Sequence, residues 1–187
     1  MLVKGIFFGY AGDMKKLCIR FASLMLGIFM LAGLNGCRKK EAAAPMALDF
    51  YAFSLGQADC LLLSYEGYHI LIDAGETDDG EDICRALSEL GIKKLDLLVV
   101  THFDKDHIGG LPDVIGAFKV KKLYSPVDEF EAKPFEAMKR AADAKKLKIT
   151  VPQAGQRFSL GSAKVEFLAP LGIYDNVNDI SLVVKIT

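Results

Sequence analysis

The part of the chain after residue 47 alternates short apolar runs with amphipathic segments. Runs rich in aliphatic and aromatic residues predict strands at 48–55, 60–65, 68–73, 122–125, 148–151, 157–160, 163–168 and 181–186. Glu66-Gly67 separates two of these runs and predicts a tight hairpin. The run 95–100 (LDLLVV) is almost wholly apolar, which predicts a strand covered on both faces.

Helical spacing of apolar residues marks the remaining segments. The pattern predicts a helix over 81–90, where Gly91 supplies the stop, and a second helix from Pro134 to about Leu147. The stretch 108–118 also begins in a helical pattern. Hairpin strands followed by alternating strands and helices are typical of a layered α/β fold.

The first 36 residues follow a different pattern. Lys15, Lys16 and Arg20 precede an uncharged run of 14 residues, Phe21 to Leu34. A transmembrane helix needs about 20 apolar residues, whereas a secretory leader needs only about 7–15. The run therefore favours a signal peptide, and a simple membrane-anchoring helix is the alternative.

The end of this run resembles a bacterial lipoprotein signal. Leu34-Asn35-Gly36 leads to Cys37, which the resemblance implies is lipidated and becomes the new N-terminus. We therefore predict a signal peptide over 1–36, a tether over 37–47 and a folded domain over 48–187. Lipidation would hold that domain at a membrane of the cell envelope, on its periplasmic or extracellular face, without spanning it.

Composition narrows the function classes. Apolar residues make up 51% of the 187 residues, which excludes a disordered chain. The formal net charge of −1 argues against a strongly basic nucleic-acid binder. Four cysteines are too few for a disulfide framework, and we expect Cys60 and Cys84 to be buried free thiols.

The candidate chemistry lies directly after the apolar run 95–100. His102, Asp104, Asp106 and His107 fall within six positions. In an extended chain residues two apart project to the same side, so the first three are expected to converge, and His107 would serve a neighbouring point. Imidazole and carboxylate groups are good ligands for Zn²⁺, Mn²⁺ or iron, so the segment predicts a metal site.

Each of these residues also has an ordinary structural explanation. Asp106 alone is suited to an N-cap, and a single histidine at a strand end is commonly hydrogen-bonded structure. Asp59 and Asp73 are candidates either for supporting a metal ligand or for initiating a turn. His69 alternates within a strand and is expected to be structural.

Taken together, the residues resemble the metallo-β-lactamase superfamily, whose signature is His-x-His-x-Asp-His after a core strand. The resemblance is strongest to the hydrolase-like domain of ComEC-type competence proteins. Three elements of that group occur here in order, namely Gly56-Gln57-Ala58-Asp59, Leu71-Ile72-Asp73-Ala74-Gly75 and the segment 101–110 (THFDKDHIGG).

The resemblance implies an αββα sandwich and a divalent metal centre of one or two ions, zinc or manganese. His102 and Asp104 would bind the first ion, and Asp106 and His107 the second. Asp106 would also orient or deprotonate the attacking water. The implied activity is hydrolysis, with phosphodiesters or nucleic acids as the leading substrates and other small molecules as alternatives.

The resemblance also implies elements that this sequence does not contain. The family continues with a strand ending in Thr-Gly-Asp and with a distal histidine, whereas no histidine follows His107 here. We therefore expect the fold to be incomplete at its C-terminus. The competing hypothesis is a degenerate or truncated lipoprotein that keeps the scaffold as a binding or structural module.

Overall fold

A computed structural model describes residues 3–9, 47–172, 176 and 178–187. Its strands are β1 (Val3–Gly9), β2 (Leu48–Ser54), β3 (Leu61–Tyr65), β4 (Tyr68–Ile72), β5 (Lys94–Leu95), β6 (Leu97–Val99), β7 (Lys119–Val120), β8 (Leu123–Tyr124), β9 (Ile149–Thr150), β10 (Arg157–Leu160), β11 (Ala163–Ala169) and β12 (Val183–Ile186). Its helices are α1 (Gly80–Glu89), α2 (Lys105–Ile108), α3 (Leu111–Ala117) and α4 (Lys133–Ala144). A short 3-10 turn, Thr77–Asp79, precedes α1.

Two main sheets organise the described residues. The larger has the strand order β1-β2-β3-β4-β6-β8-β9, and the smaller has the order β10-β11-β12. Strands β2, β3 and β4 are antiparallel neighbours, whereas β4, β6, β8 and β9 run parallel. The short strands β5 and β7 form a separate parallel pair. Because parallel neighbours need crossover connections, α1, α3 and α4 fill the links between them.

Strand β6 lies at the centre of three layers. Leu98 packs in the core between the large sheet and the helices, whereas Leu97 and Val99 pack in the core between the two sheets. All three side chains are fully buried, which confirms the expectation of a strand covered on both faces. The described residues therefore form a helix–sheet–sheet arrangement, which is the first three layers of the predicted αββα sandwich.

Hydrogen bonds tie the two sheets together at both ends. At the amino end of β4, Ser162 donates to the Glu66 carboxylate from its backbone N–H and its hydroxyl, at 2.9 and 2.6 Å. At the opposite end, the Leu182 N–H donates to the Thr101 carbonyl at 2.9 Å. The second contact fixes the smaller sheet against the segment that carries the candidate chemistry.

The predicted elements agree with the structure except at one strand and at two helices. The run predicted as a single strand over 95–100 is divided at Asp96 into β5 and β6, which lie in different sheets. Strands β1 and β7 have no counterpart among the predicted strands. The helical pattern expected over 108–118 is divided into α2 and α3. The helix expected to reach Leu147 ends at Ala144, because Lys146 adopts a left-handed backbone with φ of 55°. The Leu147 N–H then closes the helix end on the Ala142 carbonyl at 2.9 Å. Lysine rarely takes this conformation, so no sequence pattern predicts it.

The proposed leader and tether fall mostly outside the described residues. Cys37 and the apolar run 21–34 lie outside the described residues. Residues 3–9, near the start of the proposed leader, form strand β1, which pairs in parallel with β2. Within the described ranges, no helix is long and apolar enough to cross a membrane.

Candidate metal centre

Two parallel strands end side by side at one edge of the large sheet and position the candidate residues. Asp73 directly follows β4, and Thr101 and His102 follow β6. The strands are joined there by the Asp73 N–H, which donates to the Val99 carbonyl at 2.9 Å. Asp73 has a left-handed backbone with φ of 57°, which an aspartate tolerates better than most residues.

The Asp73 carboxylate is a buried hub at this edge. Its Oδ1 accepts the Thr101 N–H at 2.8 Å, and its Oδ2 accepts the Thr101 hydroxyl at 2.5 Å. The same Oδ2 lies 2.9 Å from Nδ1 of His107. Asp73 therefore supports the candidate ligands and does more than initiate a turn, which resolves the two alternatives that the sequence left open.

This network sets the proton positions on both candidate histidines. An ionised carboxylate only accepts, so Nδ1 of His107 carries the proton and donates it to Asp73. The Thr101 hydroxyl donates its hydrogen bond to Asp73. It must therefore accept one from Nδ1 of His102, which lies 3.0 Å away. With Nδ1 protonated, the neutral form of each ring carries its lone pair on Nε2, the form in which imidazole binds a metal. The role of Thr101 as the link between Asp73 and His102 is not predictable from its place in the motif.

The short helix α2 places the second half of the motif. Asp104 is its N-cap with extended backbone, and the Asp104 carbonyl accepts the N–H groups of His107 and Ile108 at 3.0 and 3.1 Å. The expectation of an extended segment through Asp106 is therefore wrong beyond Asp104, because the chain turns into a helix at Lys105. The helical turn pairs Asp106 with the adjacent His107.

The motif residues lie together as two pairs. Nε2 of His102 is 3.6 Å from Oδ2 of Asp104, and Nε2 of His107 is 3.9 Å from Oδ2 of Asp106. The centroids of the two imidazole rings are only 3.8 Å apart. The histidine side chains are mostly buried, at 12% and 13% exposed, whereas the two carboxylates reach solvent.

A fifth residue reaches the same point from a distant loop. Asp59, in the turn between β2 and β3, places Oδ2 at 3.8 Å from Nε2 of His107. Its N–H donates to the Asp106 carbonyl at 3.1 Å, and its own carbonyl accepts the Gly75 N–H at 2.9 Å. From the sequence alone, Asp59 is a candidate either for supporting a metal ligand or for initiating a turn, because no local pattern indicates which loop it meets.

Two glycines allow the α2 segment to approach the loop after β4 this closely. A Cβ on Gly109 would lie 2.3 Å from the Thr77 nitrogen, and one on Gly110 would lie 2.3 Å from the Ala74 oxygen. Both obstacles are backbone atoms, so no side-chain movement relieves the clash. The structure thus agrees with the sequence-based view that Ile108-Gly109-Gly110 lets the backbone pass close to the site.

Charge around His107 changes its proton affinity. Burial by itself lowers the pKa of His107, but the hydrogen bond and charge of Asp73, with the charges of Asp106 and Asp59, raise it above the ordinary value. Three carboxylates therefore favour a positive charge at this imidazole. A bound divalent cation would satisfy the same preference.

The donor set fits a divalent cation in its chemistry. Two imidazoles with free Nε2 atoms face carboxylate oxygens, a combination that zinc and manganese both accept. Among the side chains that the structure describes, no group of three or more His, Cys, Asp and Glu residues is arranged as a finished metal cage. The residues are therefore brought together in pairs about the two histidines.

The cysteines take no part in this site. Both Cys60 and Cys84 are free, as expected. Burial, with smaller contributions from Asp113 and Glu81, raises the pKa of Cys84 to about 11. Burial also raises the pKa of Cys60 well above its ordinary value. Neither thiol is therefore a ready thiolate ligand.

Solved structures similar to this chain are metallo-β-lactamases and flavo di-iron proteins. The Rm3 metallo-β-lactamase aligns with a TM-score of 0.48 and 18% identity, covering 64% of this chain and 48% of that one. A mutant flavo di-iron protein from Thermotoga maritima aligns with a TM-score of 0.49 and 18% identity, covering 69% and 30%.

Sequence relatives include enzymes and a competence protein. Ribonuclease Z of Clostridium beijerinckii is 40% identical over 55 residues, which is 29% of this chain and 17% of that protein. Competence protein ComA of Neisseria gonorrhoeae is 26% identical over 144 residues, which is 76% of this chain and 18% of that protein. The matched segments thus span a small part of the relatives' lengths.

The family itself is established by the sequence profile of the metallo-β-lactamase superfamily, which matches residues 54–176. The match begins at the end of β2 and includes Asp59, Asp73 and the whole segment 101–110. It agrees with the layered fold and with the position of the histidines after the central strand. The chain belongs to the metallo-β-lactamase superfamily.

Proposed function

We propose that this chain carries the metal-binding centre of an envelope-anchored hydrolase that cleaves phosphodiester bonds. The observation that supports this proposal is that the buried Asp73 carboxylate holds His107 directly and His102 through Thr101. Nε2 of His102 then lies 3.6 Å from the Asp104 carboxylate, and Nε2 of His107 lies 3.9 Å from that of Asp106. Such second-layer partners characterise histidines that bind metals.

The residues divide the work of hydrolysis between them. His102 and Asp104 would hold one divalent cation, and Asp106 and His107 would hold a second. When bound, such a cation stabilises developing negative charge and lowers the pKa of water. Asp106, whose side chain is 39% exposed and therefore reached by water, would orient the attacking water and accept its proton.

Phosphodiesters are the proposed substrates because of the relatives. Ribonuclease Z and competence protein ComA both resemble this chain, and the ribonuclease is named for cutting RNA. Nucleic acid is therefore the substrate class to test first.

The metal preference is a separate point. A carboxylate ligand at position 104 makes the first metal site harder, which favours manganese alongside zinc.

The test of this function is hydrolysis by the full chain with added Zn²⁺ or Mn²⁺. The substrates are bis(p-nitrophenyl) phosphate and single-stranded RNA. Asp106→Ala should reduce turnover by about 100-fold or more, since it removes both a ligand and a general base. Asp78→Ala, an exposed aspartate on the neighbouring loop, is the matched control and should leave turnover unchanged. Equal rates for Asp106→Ala and the wild type would refute the proposal.

A second candidate function is a non-catalytic binding module. The observation that favours it is the lack of a finished three-ligand cage among the described side chains. A purified chain that melts cooperatively but binds no metal would support this alternative. Metal bound without any turnover would assign the chain a metal-dependent binding role.

We also infer that Cys37 attaches the chain to a membrane. The support is the sequence alone, since Cys37 lies outside the described residues. Expressed with its leader in a bacterium, the wild-type chain should sediment with membranes and carry an N-terminal lipid by mass spectrometry. A Cys37→Ala variant that sediments equally well would contradict lipid anchoring.

A further inference from the structure

Asp59 occupies a position that the motif after β6 does not explain. Its Oδ2 lies 3.8 Å from Nε2 of His107, nearly the same distance as Oδ2 of Asp106, at 3.9 Å. Two carboxylates from separate parts of the chain therefore flank one free imidazole nitrogen. Asp59 itself is 68% exposed, so burial does not force its side chain into this position.

The backbone holds Asp59 at the centre from both sides. The Asp59 N–H donates to Asp106, a motif residue, and the Asp59 carbonyl accepts from Gly75, two residues after Asp73. The turn is thus hydrogen-bonded to both segments that build the centre. Its proximity to His107 is a feature of the fold and not the chance placement of a surface side chain.

The two distances to Nε2 of His107 are close to those of donors that share a cation, although the three side chains as described do not yet form a metal cage. Two donors bound to one tetrahedral zinc ion at about 2.1 Å each stand about 3.4 Å apart. The separations of 3.8 and 3.9 Å from Nε2 of His107 exceed that value by about half an ångström. Rotation of exposed carboxylates covers such a difference without backbone movement.

We propose that Asp59 is an additional ligand of the cation held by Asp106 and His107. This inference rests on the proposed metal centre and deepens it. It gives that ion a third protein ligand from within residues 48–187, a ligand that the motif alone does not supply. Asp59 would act by holding the cation, leaving Asp106 to orient water.

The competing explanation is that Asp59 only pairs electrostatically with a protonated His107. The two explanations predict effects of different size. If Asp59 is a ligand, removing it weakens metal binding about 10- to 100-fold. If it only stabilises the imidazolium, the lost attraction for the cation is offset by weaker competition from protons, and metal binding changes little.

Isothermal titration of the metal-free full chain with ZnCl₂ and with MnCl₂ decides between them. For Asp59→Asn we expect the Kd of one bound ion, the one assigned to Asp106 and His107, to rise about 10- to 100-fold, a loss comparable to that from removing residues that support metal ligands. Asp59→Glu should recover part of that affinity, because it restores a carboxylate. Asp78→Asn, which removes the same charge from an exposed position nearby, should change Kd by less than about twofold.

A third variant separates this inference from the proposed function. If Asp106→Asn weakens metal binding but Asp59→Asn does not, the ligand role of Asp59 is overturned and the metal centre stands. If neither variant affects metal binding, the proposed centre itself fails. Thermal melts without metal check that each variant folds, and Asp59→Asn should melt like the wild type because its side chain is largely exposed.

Discussion

Two buried carboxylates lie at opposite ends of the same parallel strands and meet different partners. Asp96, at the amino end of β6, is 2% exposed and accepts hydrogen bonds from Lys121 and from the His69 N–H, with Lys94 nearby. Asp73, at the carboxyl end of β4, is 3% exposed and accepts from Thr101 and His107.

The difference concerns the balance of charge. Burial alone would raise the pKa of Asp96, but the bonds and charges of Lys121, His69 and Lys94 outweigh it and lower the pKa. At that end of the sheet, lysines of the chain itself therefore balance the negative charge of Asp96. At the other end, Asp73 is joined by Asp59, Asp104 and Asp106 around two imidazoles. One buried carboxylate is therefore balanced by cations of the chain itself, whereas the other supports the histidines of the proposed metal centre, which further carboxylates flank.

The largest expected effect is on stability, at the point where Gly110 packs against the loop after β4. Gly110→Ala would place a Cβ 2.3 Å from the Ala74 oxygen and 2.9 Å from the Gly80 Cα. Because backbone must move, we expect a loss of about 3 kcal/mol or more in the free energy of unfolding, measured with urea. Gly116→Ala in α3 is the control: its Cβ meets nothing within 4 Å, and it should be neutral or stabilising by up to about 1 kcal/mol. Equal stability of the two variants would contradict this.

An exchange of amides for the two buried carboxylates tests the comparison directly. Asp73→Asn loses the charge that orients both histidines, so we expect zinc affinity to fall about 10- to 100-fold. Asp96→Asn should leave zinc affinity within about twofold but cost about 1–3 kcal/mol of stability, because its buried partners lose a charged acceptor. Titration calorimetry and urea unfolding of both variants measure the two effects. If Asp96→Asn weakened zinc binding as much as Asp73→Asn, the division of roles would fail.

The smallest effect concerns the histidine beside Asp96. Burial lowers the pKa of His69 below 6.5, with Asp96 opposing and Lys94 assisting. The unfolded chain then binds this proton more readily, so the contribution of His69 to stability is present above pH 6.5 and is lost as the pH falls through the lower folded-state pKa. Wild type should therefore lose more stability than His69→Gln between about pH 7.5 and about pH 5.5. An equal or larger loss in the variant would refute this assignment.

The sequence predicted what depends on local pattern. The apolar run 95–100 identified a strand covered on both faces, and the order of hairpins and helices indicated the layered fold that the structure has. The motif residues His102 and His107 were found because they follow that strand. These features are set by side-chain periodicity over a few residues, which a single sequence displays.

The contacts that complete the centre depend on distant segments meeting, and periodicity does not encode them. Asp59 contacts Asp106 across 47 positions of sequence, and Asp73 contacts His107 across 34. The start of α2 at Lys105 was missed for a related reason. It follows from the Asp104 carbonyl accepting the first helical hydrogen bonds, in a segment of only four helical residues.

The shared hydrogen-bond acceptor at Asp73 has a consequence for how such a centre can be lost. Because one oxygen atom serves Thr101 and His107, and through Thr101 also His102, the two rings do not have independent supports. A substitution at position 73 should disorient both rings together, although the Asp73 residue is only 3% exposed. Relatives that have lost the proposed centre should therefore be recognised at position 73, even where His102, Asp104, Asp106 and His107 are all intact.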